Sequence, residues 1–220
     1  MRAVSEYAAF IMVSAILAVS MICYRWSYLG REKQAIMQIL SRQKRILPLT
    51  LCAFIVAACC LLRFKSGTVT YIYMIQLLLL WDIVFIIASI DHLVKKIPNL
   101  LLIVLIAIRF AGIAIEALIN GRGGVEMLVF SLTGAVVGGA VILTGMLISR
   151  GGVGMGDLKL YAVTGLFIGL SGILQVLMYS LFLAAVYSVI LLVSGKAKLR
   201  STLPMAPFVL GGISVYYFFL

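Results

Sequence analysis

Charge is scarce in this chain of 220 residues, and acidic charge is scarcest of all. Charged residues make up 11% of the sequence, with only 7 Asp and Glu, whereas hydrophobic residues make up 64%. A soluble domain has about 25% charged and about 45–50% apolar residues. The chain has too little polar surface to cover an apolar core in water. Its composition therefore excludes a soluble globular protein and indicates an integral membrane protein.

Histidine and cysteine are also rare, and their positions do not suggest a metal site. The four cysteines, Cys23, Cys52, Cys59 and Cys60, include no C-x-x-C pair, which a zinc site commonly needs. They lie in or at the edge of apolar runs, where a thiol packs as a small apolar side chain. We therefore expect no bound metal and no cofactor.

The net charge of +11 does not indicate nucleic-acid binding, because the 18 Lys and Arg residues lie mainly in short segments between apolar runs. Cytoplasmic loops of membrane proteins have this composition, and they lie against anionic lipid. Residues 25–47 hold six cations against Glu32 alone. We assign this loop to the cytoplasm and expect the bilayer to be the partner of the basic residues.

The apolar runs predict an all-α fold of about eight transmembrane helices, since a spanning helix needs about 20 residues. With the N-terminus outside, the cytoplasmic loops hold twelve Lys and Arg and the outer segments four, as the positive-inside rule requires. We divide the chain into N-terminal spans with the basic loop, 1–74, and a helical core, 75–220. The predicted spans are 7–24, 48–62, 70–90, 100–119, 125–148, 157–171, 173–194 and 205–220.

Asp82, Arg109 and Glu116 are charged residues inside predicted spans. Asp82 and Arg109 are at similar depths in neighbouring antiparallel spans, and Glu116 lies seven residues beyond Arg109 on the same helical face. A charge buried in a membrane is costly, so it needs a partner or a function. The sequence favours a structural ion pair involving Arg109 and leaves a catalytic role open.

Asp91 and Asp157 lie instead at the ends of spans, both on the predicted cytoplasmic side. Two carboxylates at one level of a bundle can approach each other and share a proton. One can then act as general base toward water and the other as general acid toward an amide. Capping of a helix N-terminus would explain Asp157, but Asp91 ends its span, where negative charge is unfavourable.

Three short segments resemble the motifs of type IV prepilin leader peptidases, which are GxGD-type membrane aspartic proteases. The sequence GMGDLK at 154–159 resembles the GxGDxK stretch, and an Asp before Ile-Pro-Asn at 91–99 is similar to the first aspartate motif. The segment 205–212 is similar to the final span, and the resemblance covers about 75–212. The motif residues are Asp91, Pro98, Asn99, Gly154, Gly156, Asp157 and Lys159.

The resemblance implies an aspartic endopeptidase of the plasma membrane, with Asp91 and Asp157 as the catalytic pair. The implied substrate is a prepilin or pseudopilin of a type IV pilus or protein secretion system. Its short basic leader would be cut at the cytoplasmic face. Many bacterial relatives carry an insert with two C-x-x-C pairs that bind zinc, and this insert is associated with methylation of the new N-terminus. The matching loop, 25–47, has no cysteine, which implies that methyltransferase activity is absent.

Three other functions stay open from the sequence. A proton-coupled transporter also uses paired membrane carboxylates, although such transporters usually contain internal repeats, and we find no convincing repeat in this chain. A presenilin-like protease would cleave within spans, but that branch has tyrosine before its first aspartate, where this chain has Ile90. The third is a non-catalytic subunit of a pilus or secretion assembly.

Overall fold

The computed structural model describes residues 70–120, 124–149, 154–195 and 203–219, which all belong to one compact unit, Leu62–Leu220. The two predicted N-terminal spans and the basic loop at 25–47 lie outside the described residues. They remain predictions, as do the division of the chain at residue 75, the total of about eight spans and the outside N-terminus.

Within these ranges the chain forms five helices and no strand. They are α1 (Tyr71–Val94), α2 (Asn99–Asn120), α3 (Gly124–Ile148), α4 (Met155–Val193) and α5 (Ala206–Phe219). Helices α1 to α4 are long and apolar enough to cross a membrane. Helices suit lipid because each one satisfies its own backbone hydrogen bonds. The chain is a multi-pass membrane protein, and the part that the structure describes is all-helical.

Helix α1 is the most enclosed element, and it packs against α5 and α2. Its core side chains include Leu77, Leu80, Val84 and Ile87, each at most 1% exposed. Helix α4 packs against α3 and α5 on the other side of the bundle. Many large apolar side chains on α3 and on the second half of α4 are exposed, as expected for surfaces that face lipid.

Helix α4 folds back on itself at Gly169, where the backbone is non-helical, with φ 68° and ψ −172°. The hydroxyls of Tyr161 and Ser180, 19 residues apart, are hydrogen-bonded at 2.7 Å. In a straight helix they would be about 28 Å apart. We call residues 155–168 the short arm and residues 170–193 the long arm. The two arms correspond to the separately predicted runs 157–171 and 173–194.

Glycines bring α3 and the short arm into backbone contact. A Cβ atom on Gly134 would collide with the carbonyl oxygen of Gly165, and one on Gly165 would collide with Gly134. On Gly138 it would lie 2.7 Å from the carbonyl oxygen of Tyr161. Small residues at such positions let helix backbones approach closely. Gly169 forms the reversal, because its positive φ is accessible chiefly to glycine.

We expect Gly134→Ala and Gly145→Ala, two identical changes in α3, to have opposite effects on stability. Alanine at 134 would overpack the backbone contact, at a cost of about 1–3 kcal/mol. Apart from the adjacent backbone of α3 itself, no described atom lies within 4 Å of a Cβ at 145, and there alanine should stabilise the helix by about 0.5–1 kcal/mol. Thermal unfolding in detergent measures both changes. Equal shifts in the unfolding temperature would contradict the close crossing of α3 and the short arm.

Candidate active site

Asp91 lies in the last turn of α1 and is 5% exposed. Its Oδ2 accepts a hydrogen bond of 3.1 Å from the backbone N–H of Ala206, the first residue of α5. The first N–H groups of a helix have no partner inside it and carry partial positive charge. The carboxylate is therefore unfavourably placed on its own helix but favourably placed at the start of α5. Reasoning from the sequence missed this partner, because α5 begins more than a hundred residues later.

The chain turns sharply after Asp91. Lys95 has a left-handed backbone, with φ 54° and ψ 40°, and its N–H donates to the Asp91 carbonyl at 2.8 Å. This conformation ends α1 in the way that a C-terminal glycine usually does. Pro98, which cannot continue a helix from the preceding turn, directly precedes α2. The turn keeps the Ile-Pro-Asn segment close to the end of α1.

Asp157 is the third residue of α4 and is half-buried. Its N–H donates to the carbonyl of Gly154 at 3.1 Å, and its negative charge is favourable in the first turn of a helix. Asp157 is close enough to Asp91 for the two carboxyl groups to interact electrostatically. The two aspartates that the sequence singled out are therefore brought to the same site.

Two contacts join the segments that carry these aspartates. The Nζ of Lys159 donates to the Oδ1 of Asn99 at 3.1 Å. A Cβ on Gly156 would lie 3.2 Å from the Cβ of Ile97, so a larger residue would press on the turn between α1 and α2. The role of Ile97 as the neighbour of Gly156 is visible only in the structure.

Four helix ends meet at this site: the C-terminal end of α1 and the N-terminal ends of α2, α4 and α5. Asp91, Asn99, Asp157 and Ala206 lie on these four ends. Hydrogen bonds join Asp91 to Ala206 and Asn99 to Lys159, and Asp157 interacts electrostatically with Asp91. The N-terminal end of a helix carries partial positive charge, which favours negative charge at the place where the carboxylates lie.

Arg109, Asp82 and Glu116 do not form the predicted ion pair. Arg109 is 2% exposed, and the hydrogen bonds from its guanidinium go to neutral groups on three helices. Glu116 accepts from the hydroxyl of Thr70 and acts on Arg109 only electrostatically. Asp82 lies nine residues before Asp91, so the two project about half a turn apart on α1. The partners of Arg109 are Gln76 Oε1 at 2.5 Å, Ser131 Oγ at 3.0 Å and the Leu166 carbonyl at 3.0 Å.

Metal ligands are sparse in the region that the structure describes. No group of three or more His, Cys, Asp and Glu residues in the described ranges could hold a metal ion. The four cysteines lie outside these ranges.

Comparison with known proteins adds independent information on these residues. The sequence model of the type IV leader peptidase family matches residues 76–189, a range that contains both aspartates. The prepilin leader peptidase/N-methyltransferase of Bacillus subtilis (strain 168) is 29% identical over 138 residues, which is 63% of this chain and 53% of that protein. The chain thus spans about half the length of this curated relative. No solved structure matches. These matches favour neither transport nor a presenilin-like protease.

Proposed function

The chain belongs to the type IV leader peptidase family, and on that premise we propose that it is an aspartyl endopeptidase of the plasma membrane. Its substrates are prepilin-like proteins, from which it removes a short basic leader at the cytoplasmic face. Asp91 and Asp157 activate the water that attacks the scissile amide. The observation that carries this proposal is that the two aspartates, 66 residues apart in sequence, lie at one group of helix ends and are close enough to interact electrostatically.

The proposed chemistry needs one proton shared between two carboxyl groups. Two nearby carboxylates repel each other when both are charged, so one of them retains a proton in the resting enzyme. The charged carboxylate takes a proton from water as its oxygen bonds to the amide carbon. The protonated carboxyl group gives its proton to the amide nitrogen as the carbon–nitrogen bond breaks. The N–H of Ala206 holds one oxygen of Asp91 throughout.

The position of the site suits a substrate that lies partly in the membrane. Asp91 and Asp157 are at the ends of apolar helices rather than at their centres, close to where a membrane-spanning segment meets water. A prepilin-like protein has its basic leader in the cytoplasm and its apolar helix in the bilayer. The bond between them, just after a glycine, would lie at the depth of the two aspartates.

Cleavage of a co-expressed prepilin-like protein tests this function. We expect a shift of the substrate on a gel and a new N-terminus at the residue after the glycine, read by N-terminal sequencing. Mass spectrometry of the product shows whether the new amine is methylated. We expect a free amine, because the loop 25–47 contains no cysteine. An intact substrate in membranes that contain the full-length chain would refute the proposal.

The contact between Lys159 and Asn99 should contribute modestly to cleavage. Both side chains are exposed, and exposed pairs contribute about 0.2–1 kcal/mol. Lys159→Ala and Asn99→Ala should therefore each lower kcat/KM by about 1.4- to fivefold. The double variant should lose no more than either single one, because the same hydrogen bond is removed in each. Fully additive losses would show that the two residues act separately.

A further inference from the structure

The reversal at Gly169 leaves carbonyl groups at the end of the short arm without helical partners. In a continuous helix the carbonyls of Leu166 and Phe167 would accept hydrogen bonds from residues four positions later. At Gly169 the backbone leaves the helical path, between these carbonyls and the N–H groups of residues 170 and 171. Leu166 is 7% exposed and Phe167 is fully buried, so water cannot replace the missing donors. A buried carbonyl without a donor is costly, particularly at membrane depth.

Two side chains from other helices supply the missing donors. Arg109 on α2 donates from Nε to the Leu166 carbonyl at 3.0 Å. Tyr73 on α1 donates from its hydroxyl to the Phe167 carbonyl at 2.7 Å. The Arg109 guanidinium lies 5.2 Å from the centre of the Tyr73 ring. A cation is also favourable at the C-terminal end of a helix, which carries partial negative charge.

Arg109 is itself held firmly, which makes it suitable as an anchor. Its Nη1 donates to Oε1 of Gln76 at 2.5 Å, and its Nε also reaches Oγ of Ser131 at 3.0 Å. The Nε2 of Gln76 in turn donates to the carbonyls of Ile108 and Arg109. The end of the short arm is thus tied to α1, α2 and α3 through one buried network.

We propose that Arg109 and Tyr73 are positioning residues, which cap the short arm and thereby hold Asp157 at Asp91. The proposal rests on the proposed function. Asp157 lies nine residues before Leu166, about 14 Å along the same rigid arm. A movement of the capped end along the helix axis therefore moves Asp157 by a similar distance. This role accounts for a buried arginine whose hydrogen-bond partners are all neutral.

The kinetic test compares Arg109→Gln, Arg109→Lys and Tyr73→Phe with the wild type. A displacement of about 1 Å at a catalytic group costs up to about a hundredfold in rate. We expect kcat to fall roughly ten- to a hundredfold in Arg109→Gln and less in Tyr73→Phe, with KM unchanged in both. Arg109→Lys should recover part of the activity, because it keeps a cation at the end of the arm. An unchanged kcat in Arg109→Gln would overturn the proposal.

A structural readout separates this proposal from the proposed function. In a chain with its four native cysteines replaced by alanine, Ile97→Cys and Gly156→Cys would place two thiols at the contact between the turn and the short arm. Disulfide formation depends steeply on the distance between Cβ atoms. Adding Arg109→Gln or Tyr73→Phe should slow disulfide formation roughly tenfold, as measured by maleimide labelling of the remaining thiols in membranes.

Tyr217→Phe is the matched control. Like Tyr73, Tyr217 has a hydroxyl that donates to a backbone carbonyl at 2.7 Å, in this case the carbonyl of Leu77. This hydrogen bond joins α5 to α1 and does not involve the short arm. Disulfide formation should proceed at the reference rate in this variant. Equal rates in all variants would overturn the positioning role even if cleavage is lost. Slower rates only in the Arg109 and Tyr73 variants would support it even if no substrate is cleaved.

Discussion

Asp91→Asn and Asp157→Asn should each abolish cleavage of a prepilin-like substrate, with the rate falling by about 10²- to 10⁴-fold. Asparagine has nearly the same shape as aspartate, and its amide oxygen can still accept the hydrogen bond from Ala206. It can neither carry the negative charge that a general base needs nor give up the proton that a general acid needs. Cleavage at matched membrane expression, followed over time on a gel, measures the loss.

Asp82→Asn provides a matched control on the same helix as Asp91. Asp82 is half-buried in α1 and lies about half a turn away from Asp91, so it faces away from Asp157. The same chemical change at this position should leave kcat within about twofold of the wild type, as expected for a residue outside the reacting groups. Cleavage that survives either Asp91→Asn or Asp157→Asn would refute the two-aspartate mechanism. Loss of cleavage in Asp82→Asn alone would point to a different catalytic carboxylate.

Gly169→Ala should have the largest effect on the fold. The backbone at Gly169 lies in a region that only glycine occupies readily, and a side chain there costs about 1–3 kcal/mol. The added Cβ would also collide with the ring of Phe130, which adds about 1–3 kcal/mol of overpacking. Because the same residue reverses α4, the variant should lose both stability and the placement of the short arm. Thermal unfolding in detergent and the cleavage assay measure the two effects.

Two further variants separate the backbone cost of Gly169→Ala from the cost of its collision with Phe130. Gly195 also has a positive φ, 67°, but no described atom lies within 4 Å of an added Cβ. Gly195→Ala should therefore show only the backbone cost, about 1–2 kcal/mol. Adding Phe130→Leu to Gly169→Ala should recover part of the stability, because the smaller side chain makes room for the methyl group. If Gly169→Ala is no more destabilising than Gly195→Ala, the tight reversal in α4 is wrong.

Within the residues that the structure describes, apolar runs in the sequence predicted most helices well. The runs 100–119 and 125–148 end within one residue of α2 and α3. The reason is that a helix in lipid must continue until polar or helix-breaking residues allow it to end. The bounds of such a helix can therefore be predicted from the hydropathy along the sequence. The end of α1 was less well predicted, because the helix continues four residues beyond the predicted run, through Asp91 to Val94, before Lys95 ends it.

The roles of individual polar residues could be predicted only in part. Asp91 and Asp157 were identified because each stands at the end of a span within a recognisable motif, and local sequence carries that information. Arg109 was expected to pair with a carboxylate, but it binds neutral oxygens instead. A charged residue in an apolar run can be predicted to need hydrogen-bond partners. The sequence does not show which backbone carbonyls will be available as partners once α4 reverses at Gly169.

Sequence alone determined that this chain lies in a membrane as helices, that it belongs to the type IV leader peptidase family, and which two carboxylates are the candidates for catalysis. These properties depend on composition, on hydropathy along the chain and on short motifs, which are all local. Only the tertiary structure decided that α4 doubles back at Gly169, that α5 offers its first N–H to Asp91, and that Arg109 and Tyr73 bind the end of the short arm. These features depend on residues that are far apart in sequence. The hydrogen bonds among them form because the packed helices leave particular backbone groups buried, and a buried backbone group needs a partner.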